Sequence, residues 1–213
     1  MDLLSLKMLT IDGVNNVSFG SKFSILHNLS LKVTGLAARG TIQKDMFQHL
    51  PNIRFLDLSS RTVRRLGLCG FRNVTYDLPF TAIQIFKAQY LECERGGSSW
   101  LLTSDIKPLN ETNLLELYID GNNFDKAELT AKLFLPSSLR VLSVTDNRWV
   151  VDEYAHYHTL INLNSLTTFD ASFQIKHQML QTHNSVNCNH LESLNLCNVF
   201  STECRMRRLL TYM

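Results

Sequence analysis

Histidine and cysteine are the side chains of this sequence with the most chemical potential, and their spacing decides what they can do. His156 and His158 alternate within the segment DEYAHYH. Five more such residues follow toward the C-terminus, namely His183, Cys188, His190, Cys197 and Cys204. Two alternating ligands do not close a tetrahedral zinc site, and the later five match neither a CxxC pair nor an HExxH helix. We therefore predict no metal and no cofactor.

Signatures of acid–base and nucleophilic catalysis are also missing. The sequence contains no GxSxG elbow, no phosphate-binding P-loop and no GxGxxG turn. Its Asp and Glu residues are scattered along the chain, so no pair can be assigned to general acid–base chemistry. The sequence therefore predicts a protein that is not an enzyme and has no catalytic residues.

Basic residues are concentrated in one short stretch that contains Arg61, Arg64, Arg65 and Arg72. Solvated loop charge is the simpler interpretation, and binding of a phosphate-like anion is the alternative. The whole chain has a net charge of only +2, which gives no general attraction to nucleic acids or acidic membranes. No nucleic-acid partner is predicted.

Four Asn-x-Ser/Thr sequons offer sites for N-linked sugars, at Asn16, Asn28, Asn73 and Asn110. Three of them, Asn16, Asn73 and Asn110, lie between predicted strands, where a bulky glycan is tolerated. Asn28 falls within a predicted strand and is the least suitable. We predict glycans at the other three sites if the chain enters the secretory pathway.

The elements that must position these residues repeat one pattern. The segment LLELYIDGNNF follows the order LxxLxLxxNxL, with Leu114, Leu117, Ile119, Asn122 and Phe124 at the key positions. This order is the leucine-rich-repeat signature. Residues two apart on a strand share a face, so Leu117 and Ile119 point inward while Tyr118 and Asp120 point outward. The Asn122 amide can hydrogen-bond the bend that follows.

The same frame recurs through the whole chain. Its eight copies start at Leu6, Leu26, Ile53, Ile83, Leu114, Leu139, Leu166 and Leu191, at intervals of 20, 27, 30, 31, 25, 27 and 25 residues. Only the copies with Asn122 and Asn147 keep asparagine in its slot. Such regularity favours an α/β leucine-rich-repeat solenoid over a sandwich of unrelated strands. We expect a horseshoe with a parallel concave sheet and an irregular or short-helical convex side.

The outward strand positions define a candidate binding surface on the concave face. Between the two buried residues of each strand lie Thr10, Ser30, Asp57, Lys87, Tyr118, Ser143, Asp170 and Asn195. One step past the second buried residue lie Asp12, Lys32, Ser59, Gln89, Asp120, Thr145, Ser172 and Cys197. Both sets are mostly small and polar, without a run of aromatic residues. A solvated sheet face and a protein-binding surface both fit. The candidate binding residues are Asp57, Lys87, Tyr118, Asp120, Ser143, Thr145 and Asp170.

The segments between strands differ in character. Residues 64–82 and 92–113 show no helical period and are predicted to be long loops. Residues 125–135 are the best helix candidate, because apolar residues fall on one side and Pro136 follows.

We interpret residues 1–213 as a single array of about eight irregular repeats that is incomplete at both ends. No basic leader precedes the first repeat, no apolar run reaches the roughly 18 residues of a membrane span, and neither end has a polar capping repeat. Open ends would expose apolar surface, so we expect the isolated chain to self-associate.

Three segments carry a resemblance to a known family. DMFQHLPNIRFLDLSS resembles the FxxLxxLxxLxLS repeat of Toll-like receptors, and LPSSLRVLSVTDN is similar to their LPxxLxxLxLxxN. LGLCGFRNVT, followed a repeat later by YLEC, resembles a loop pair found in those receptors. The chain looks most like an ectodomain of the invertebrate type. The resemblance implies a membrane receptor of innate immunity that binds a microbial product or a protein on the extracellular or endosomal side and signals as a dimer.

A cytosolic leucine-rich-repeat adaptor, such as the substrate-reading part of a ubiquitin ligase, is the alternative. The segment LESLNLCN and the helical stretch near Ala127 suit that class. The cysteines separate the two hypotheses. Cys69 and Cys93 are 24 residues apart, about one repeat, so successive coils could bring them together as a disulfide of a secreted receptor.

Overall fold

The computed structural model describes residues 5–12, 19–27, 29–34, 42–59, 67–91, 99–101, 103–122, 124–125, 134–147, 163–173 and 192–195. In these ranges the strands are β1 Met8–Asp12, β2 Leu29–Thr34, β3 Ile53–Asp57, β4 Ile85–Lys87, β5 Ser99–Trp100, β6 Glu116–Tyr118, β7 Phe124–Asp125, β8 Val141–Ser143, β9 Thr168–Asp170 and β10 Ser193–Asn195. Eight of them form one sheet in the order β1-β2-β3-β4-β6-β8-β9-β10, and β5 pairs with β7 in a smaller sheet.

Every neighbouring pair in the large sheet is parallel, and the order in the sheet follows the order in the chain. The register aligns one inward residue per repeat. These aligned and buried residues are Leu31, Leu56, Phe86, Leu117, Leu142 and Phe169. Each repeat therefore packs its apolar side chains on those of the repeats beside it. The predicted leucine-rich-repeat solenoid is confirmed.

The register of β2 corrects the frame expected for the second repeat. Leu31 pairs with Leu56 rather than with Leu58, and Lys32 pairs with Asp57. The register shifts between Leu29 and Ser30. Lys32 therefore occupies the outward position that the sequence analysis gave to Ser30. The sequence could not fix this slip, because leucines at positions 26, 29 and 31 are all buried and alternation alone allows more than one alignment.

Two helices lie on the other side of the core from the sheet, where loops were predicted. Helix α1 spans Gly67–Asp77 and α2 spans Thr103–Ile106, and 3-10 turns at Leu78–Phe80 and Lys107–Glu111 follow them. The expectation that segments 64–82 and 92–113 are loops throughout is therefore wrong. Phe71, Val74 and Leu78 are all buried, and their spacing of three and four residues is a helical stripe.

The Phe71 ring explains how α1 is held against the sheet. It packs on the Phe86 ring from the sheet side, with 6.1 Å between centroids, and on Phe124 at 5.7 Å. The helix candidate at 125–135 lies mostly outside the described residues, and the described Asp125 belongs to β7.

Two buried carboxylates tie the convex segments of adjacent repeats together. Asp77 accepts hydrogen bonds from the backbone N–H groups of Asp45 (2.9 Å) and Phe47 (3.0 Å). Burial raises the pKa of this carboxyl above its ordinary value, although the hydrogen bonds from Phe47 and Asp45 oppose that shift. Asp105 accepts a hydrogen bond from the Arg72 guanidinium, which joins α1 to α2.

Buried asparagines close the bend after the strands. Asn122 accepts from the Leu91 N–H at 2.7 Å and donates to the carbonyls of Ala88 and Ile119. Asn147 makes equivalent hydrogen bonds one repeat later, since it accepts from the backbone N–H groups of Asn122 (3.0 Å) and Phe124 (3.2 Å). These side chains replace the partners that the bending backbone loses, as the repeat signature predicts.

Candidate functional site

The outward side chains of the large sheet form rows that cross the strands. The Cα register aligns Lys32, Asp57, Lys87, Tyr118, Ser143 and Asp170 as successive neighbours. Five of these six are candidate binding residues from the sequence analysis, and the structure places them in one line. Neighbouring strands lie about 4.8 Å apart. A ligand of modest size would therefore touch several of these side chains at once.

Lys87 is the centre of this row. Its Nζ atom lies 4.8 Å from the Tyr118 ring centroid and 5.7 Å from the Phe55 ring centroid. Three strands thus contribute to a cation between two aromatic faces, an arrangement that is stabilising and keeps the ammonium on the open side of the sheet. All three side chains are half-buried.

Tyr118 is held in a fixed protonation state. Its hydroxyl donates a hydrogen bond to Glu116 Oε2 at 2.9 Å. Burial raises the pKa of Tyr118 to about 12, and the hydrogen bond and negative charge of Glu116 add to the shift. The phenol therefore remains a neutral hydrogen-bond donor over the physiological range.

Asp57 and Asp170 each accept a hydrogen bond from the backbone of the serine two residues further along the chain. Asp57 Oδ1 accepts the Ser59 N–H at 2.9 Å, and Asp170 Oδ1 accepts the Ser172 N–H at 2.9 Å. Asp57 also lies 3.8 Å from the Lys32 ammonium. Each carboxylate thus holds the backbone at the end of its strand through one oxygen.

Asp120 differs from the sequence-based expectation. It was predicted to face solvent or a partner, but only 4% of it is exposed. Its carboxylate accepts hydrogen bonds from the Ser143 hydroxyl (2.6 Å), the Thr145 N–H (2.8 Å) and the Gln89 amide. The reason for the burial is that donors from the strands on either side converge on it. Asp120 therefore stiffens the face between repeats.

Sequence reasoning missed a second row of side chains on the same face. The register aligns Phe55, Ile85, Glu116, Val141 and Thr168, and all are half-buried. The signal was present, since each lies two residues before a member of the first row and so shares its face. The face is therefore more apolar than the small polar residues alone suggested.

The remaining candidates are distributed away from this face. Asn110 is exposed on the 3-10 turn Lys107–Glu111, whereas Asn73 is half-buried in α1 and its amide nitrogen donates to the Ile42 carbonyl at 2.8 Å. Glycosylation at both sites stays a prediction. Arg72 donates a hydrogen bond to the buried Asp105 carboxylate.

Several expectations fall on residues that the structure does not describe. The Cys69 backbone lies in α1, but its side chain and all of Cys93 are outside the described set, so their pairing stays a prediction. The same applies to a group of other residues: Asn16, Asn28, Arg61, Arg64, Arg65 and the histidines and cysteines beyond position 150. Within the described ranges, no three His, Cys, Asp or Glu side chains group around a common point, and no helix is long and apolar enough to cross a membrane.

The chain is similar to known proteins both in sequence and in fold. No family model matches the chain. A stretch of 135 residues, 63% of the chain, is 31% identical to Toll-like receptor 4 of Pinctada imbricata, of which it covers 15%. Among solved structures, a crystal structure of a TLR13–ssRNA13 complex is similar to 90% of the present chain, with a TM-score of 0.54 and 18% identity. The matched region is 29% of the solved chain.

The chain is a leucine-rich-repeat solenoid. Within that class its sequence is similar to a Toll-like receptor over 63% of the chain, which confirms the resemblance found in its sequence. Both similar proteins are Toll-like receptors. The chain spans less than a third of the length of either protein.

Proposed function

We propose that this chain is a ligand-binding part of the ectodomain of a Toll-like innate immune receptor. The observation that carries the proposal is the concave cluster of Lys87, Phe55 and Tyr118, which presents a cation and two aromatic rings from three adjacent strands. Aromatic residues and fixed charges are typical of the energetic centres of binding surfaces. The sequence similarity to a Toll-like receptor supports the receptor class.

The proposed ligand is a protein or a microbial product, and the proposed location is the extracellular or endosomal side of a membrane receptor that signals as a homodimer. The cytosolic adaptor was the alternative, but neither similar protein belongs to that class. The similar solved structure contains a single-stranded RNA. Nucleic acid is therefore included among the ligands to be tested, although the sequence predicted no such partner.

Charge on the described concave face is mixed rather than uniformly basic. Lys32 lies beside Asp57, and Glu116 accepts from Tyr118, so Lys87 is flanked by paired groups. A long phosphate backbone is bound by many cations in succession. The mixed pattern therefore favours a ligand with one anionic group beside apolar surface over an extended nucleic acid.

Binding of purified ligands tests the proposal. The secreted chain is measured against a bacterial lipopeptide, lipopolysaccharide and a synthetic single-stranded RNA by biolayer interferometry. We expect Lys87→Glu to weaken the binding of its ligand at least about tenfold, because the variant reverses the central charge and removes both ring contacts. Lys22→Glu makes the same charge change at an exposed position outside the sheet and should bind like the parent.

Two results would count against the concave face. One is equal binding by the parent, Lys87→Glu and Lys22→Glu. The other is binding that falls equally in both variants, since that result indicates a response to net charge. If RNA alone binds and its affinity falls steeply with salt, the ligand class proposed here is wrong and the receptor class is retained.

A further inference from the structure

A groove on the convex side is lined by unusually exposed aromatic residues. It has a volume of about 430 Å³ and lies between residues 44–48, the turn Leu78–Phe80 and residues 104–111. Phe80 is 63% exposed and Tyr76 is 41% exposed, and both line the groove together with Pro79 and Pro108. Two exposed aromatic rings in one groove form apolar surface that a bound group can cover.

A sequon lies next to the lining of the groove in the chain. Asn110 is exposed and lies between two lining residues, Pro108 and Glu111, on the 3-10 turn Lys107–Glu111. The turn is held firmly, because the Thr112 hydroxyl donates to the Leu109 carbonyl at 2.7 Å and accepts from the Leu114 N–H at 3.3 Å. A sugar attached to Asn110 would therefore begin within two residues of Pro108 and Glu111, which line the groove.

The lining suits the chemistry of N-acetylglucosamine. One face of this sugar is a set of C–H groups, which carry partial positive charge and pack on the negative face of an aromatic ring. Its hydroxyl and acetamido groups need hydrogen-bond partners. The groove supplies them in the Ser104 hydroxyl, the Lys44 and Lys107 ammonium groups and the Glu111 carboxylate.

We propose that an N-linked glycan on Asn110 folds back into this groove and that its first two N-acetylglucosamine units cover Tyr76 and Phe80. This inference rests on the proposed function, because the sugar is added only in the secretory pathway. It assigns an occupant of stated chemistry to the groove. Asn73 offers a contrast, since its amide already donates a hydrogen bond to the Ile42 carbonyl inside the fold.

The test uses the chain secreted from cultured cells with an added signal peptide, so entry into the secretory pathway is given. Mass spectrometry of the Asn110 peptide should show a glycan. Release of that glycan by peptide N-glycosidase under native conditions should be about three- to tenfold faster in Phe80→Ala than in the parent, because the variant loses one ring contact. Tyr76→Ala should act in the same direction.

Phe173→Ala is the matched control. Phe173 is also an exposed aromatic residue, at 55%, but it lies after β9 and does not line the groove. Its glycan should be released at the parental rate, and circular dichroism should show that all variants are folded. Since no receptor ligand is added, a failure here leaves the proposed function standing.

Two results would overturn the inference. The first is an Asn110 peptide without sugar. The second is a glycan that is released at the same rate from the parent, Phe80→Ala and Tyr76→Ala.

Discussion

At the residue scale, the two asparagines that keep their slot are the best evidence that side chains, not only leucines, define this repeat. The Asn147 side-chain oxygen accepts hydrogen bonds from two backbone N–H groups of the preceding repeat. Its nitrogen lies within hydrogen-bond distance of the carbonyls of Ile119, Val144 and Thr145. It is fully buried. A single amide thus links two coils and replaces water for several backbone groups.

Asn147→Ala should therefore lower the free energy of unfolding by about 3 kcal/mol or more, because buried donors and acceptors lose their partner. Urea denaturation followed by circular dichroism measures the change. Asn164→Ala, at an exposed position before β9, is the control and should stay within about 0.5 kcal/mol of the parent. A similar midpoint for both variants would contradict the bridging role.

Tyr118 gives a prediction in pH. Its pKa is about 12 in the fold, and an unfolded tyrosine has a pKa of about 10. The unfolded chain therefore releases this proton first as the pH rises, so the contribution of Tyr118 to stability is complete below pH 10 and is lost as the pH rises toward 12. The urea midpoint of the parent should fall more between these values than that of Tyr118→Phe. Parallel losses would show that the hydroxyl is not buried against Glu116.

At the scale of elements, the bend after four of the described strands depends on one residue in the left-handed conformation. Tyr90, Gly121, Asp146 and Phe173 have positive φ at equivalent positions, each three residues after the end of its strand. Their N–H groups extend the strand ladder where the partner is described, as from Gly121 to the Thr145 carbonyl at 2.9 Å. Only Gly121 adopts this conformation without the cost that a side chain brings.

Gly121 also makes room for a neighbour. A Cβ atom at this position would clash with Cδ1 and Cε1 of Tyr90. Gly121→Ala should destabilise the chain by about 2 kcal/mol, from the left-handed backbone and the displaced ring together. Gly20→Ala is the matched control, since nothing lies within 4 Å of its Cβ position. Thermal melts compare the two, and an equal Tm for both variants would contradict the close contact.

The elements also show where sequence reasoning succeeds and where it stops. Leu117 and Ile119 were placed inward and Tyr118 outward, because a period of two and a full signature leave one alignment. The slip in β2 escaped detection because Leu29 and Leu31 are both buried whichever way the strand is aligned. Helix α1 was missed because its stripe of Phe71 and Val74 is short, and Leu78, which continues it, already belongs to a 3-10 turn.

The site divides in the same way. Lys87 and Tyr118 could be assigned to one face from their repeat positions, but their contact with Phe55 depends on the register of three strands. Asp120 looked like a surface carboxylate, since its burial comes from donors in the repeats before and after its own. A groove between three consecutive repeats has no signature in the sequence at all.

At the scale of the whole molecule, the chain is a one-dimensional stack in which each repeat is held by its neighbours. Contacts between strands of the described sheet run from each strand to the next, and the buried apolar side chains form one core that runs along the array. A lesion in the middle of the stack should therefore be felt on both sides, whereas a lesion on the open face of a strand should stay local.

Leu117→Asp tests this property. Leu117 is 1% exposed and lies between Phe86 and Leu142 in the register. A carboxylate there has no partner among these apolar neighbours, so the change should remove more than about 4 kcal/mol of stability. Thr10→Asp places the same group at an exposed outward position whose register partner is Lys32, and should be nearly neutral.

Hydrogen exchange should show lost protection in β4, β6 and β8 of Leu117→Asp first. Uniform loss over all strands would mean that the array unfolds as one unit, and unchanged protection would mean that Leu117 does not face the core.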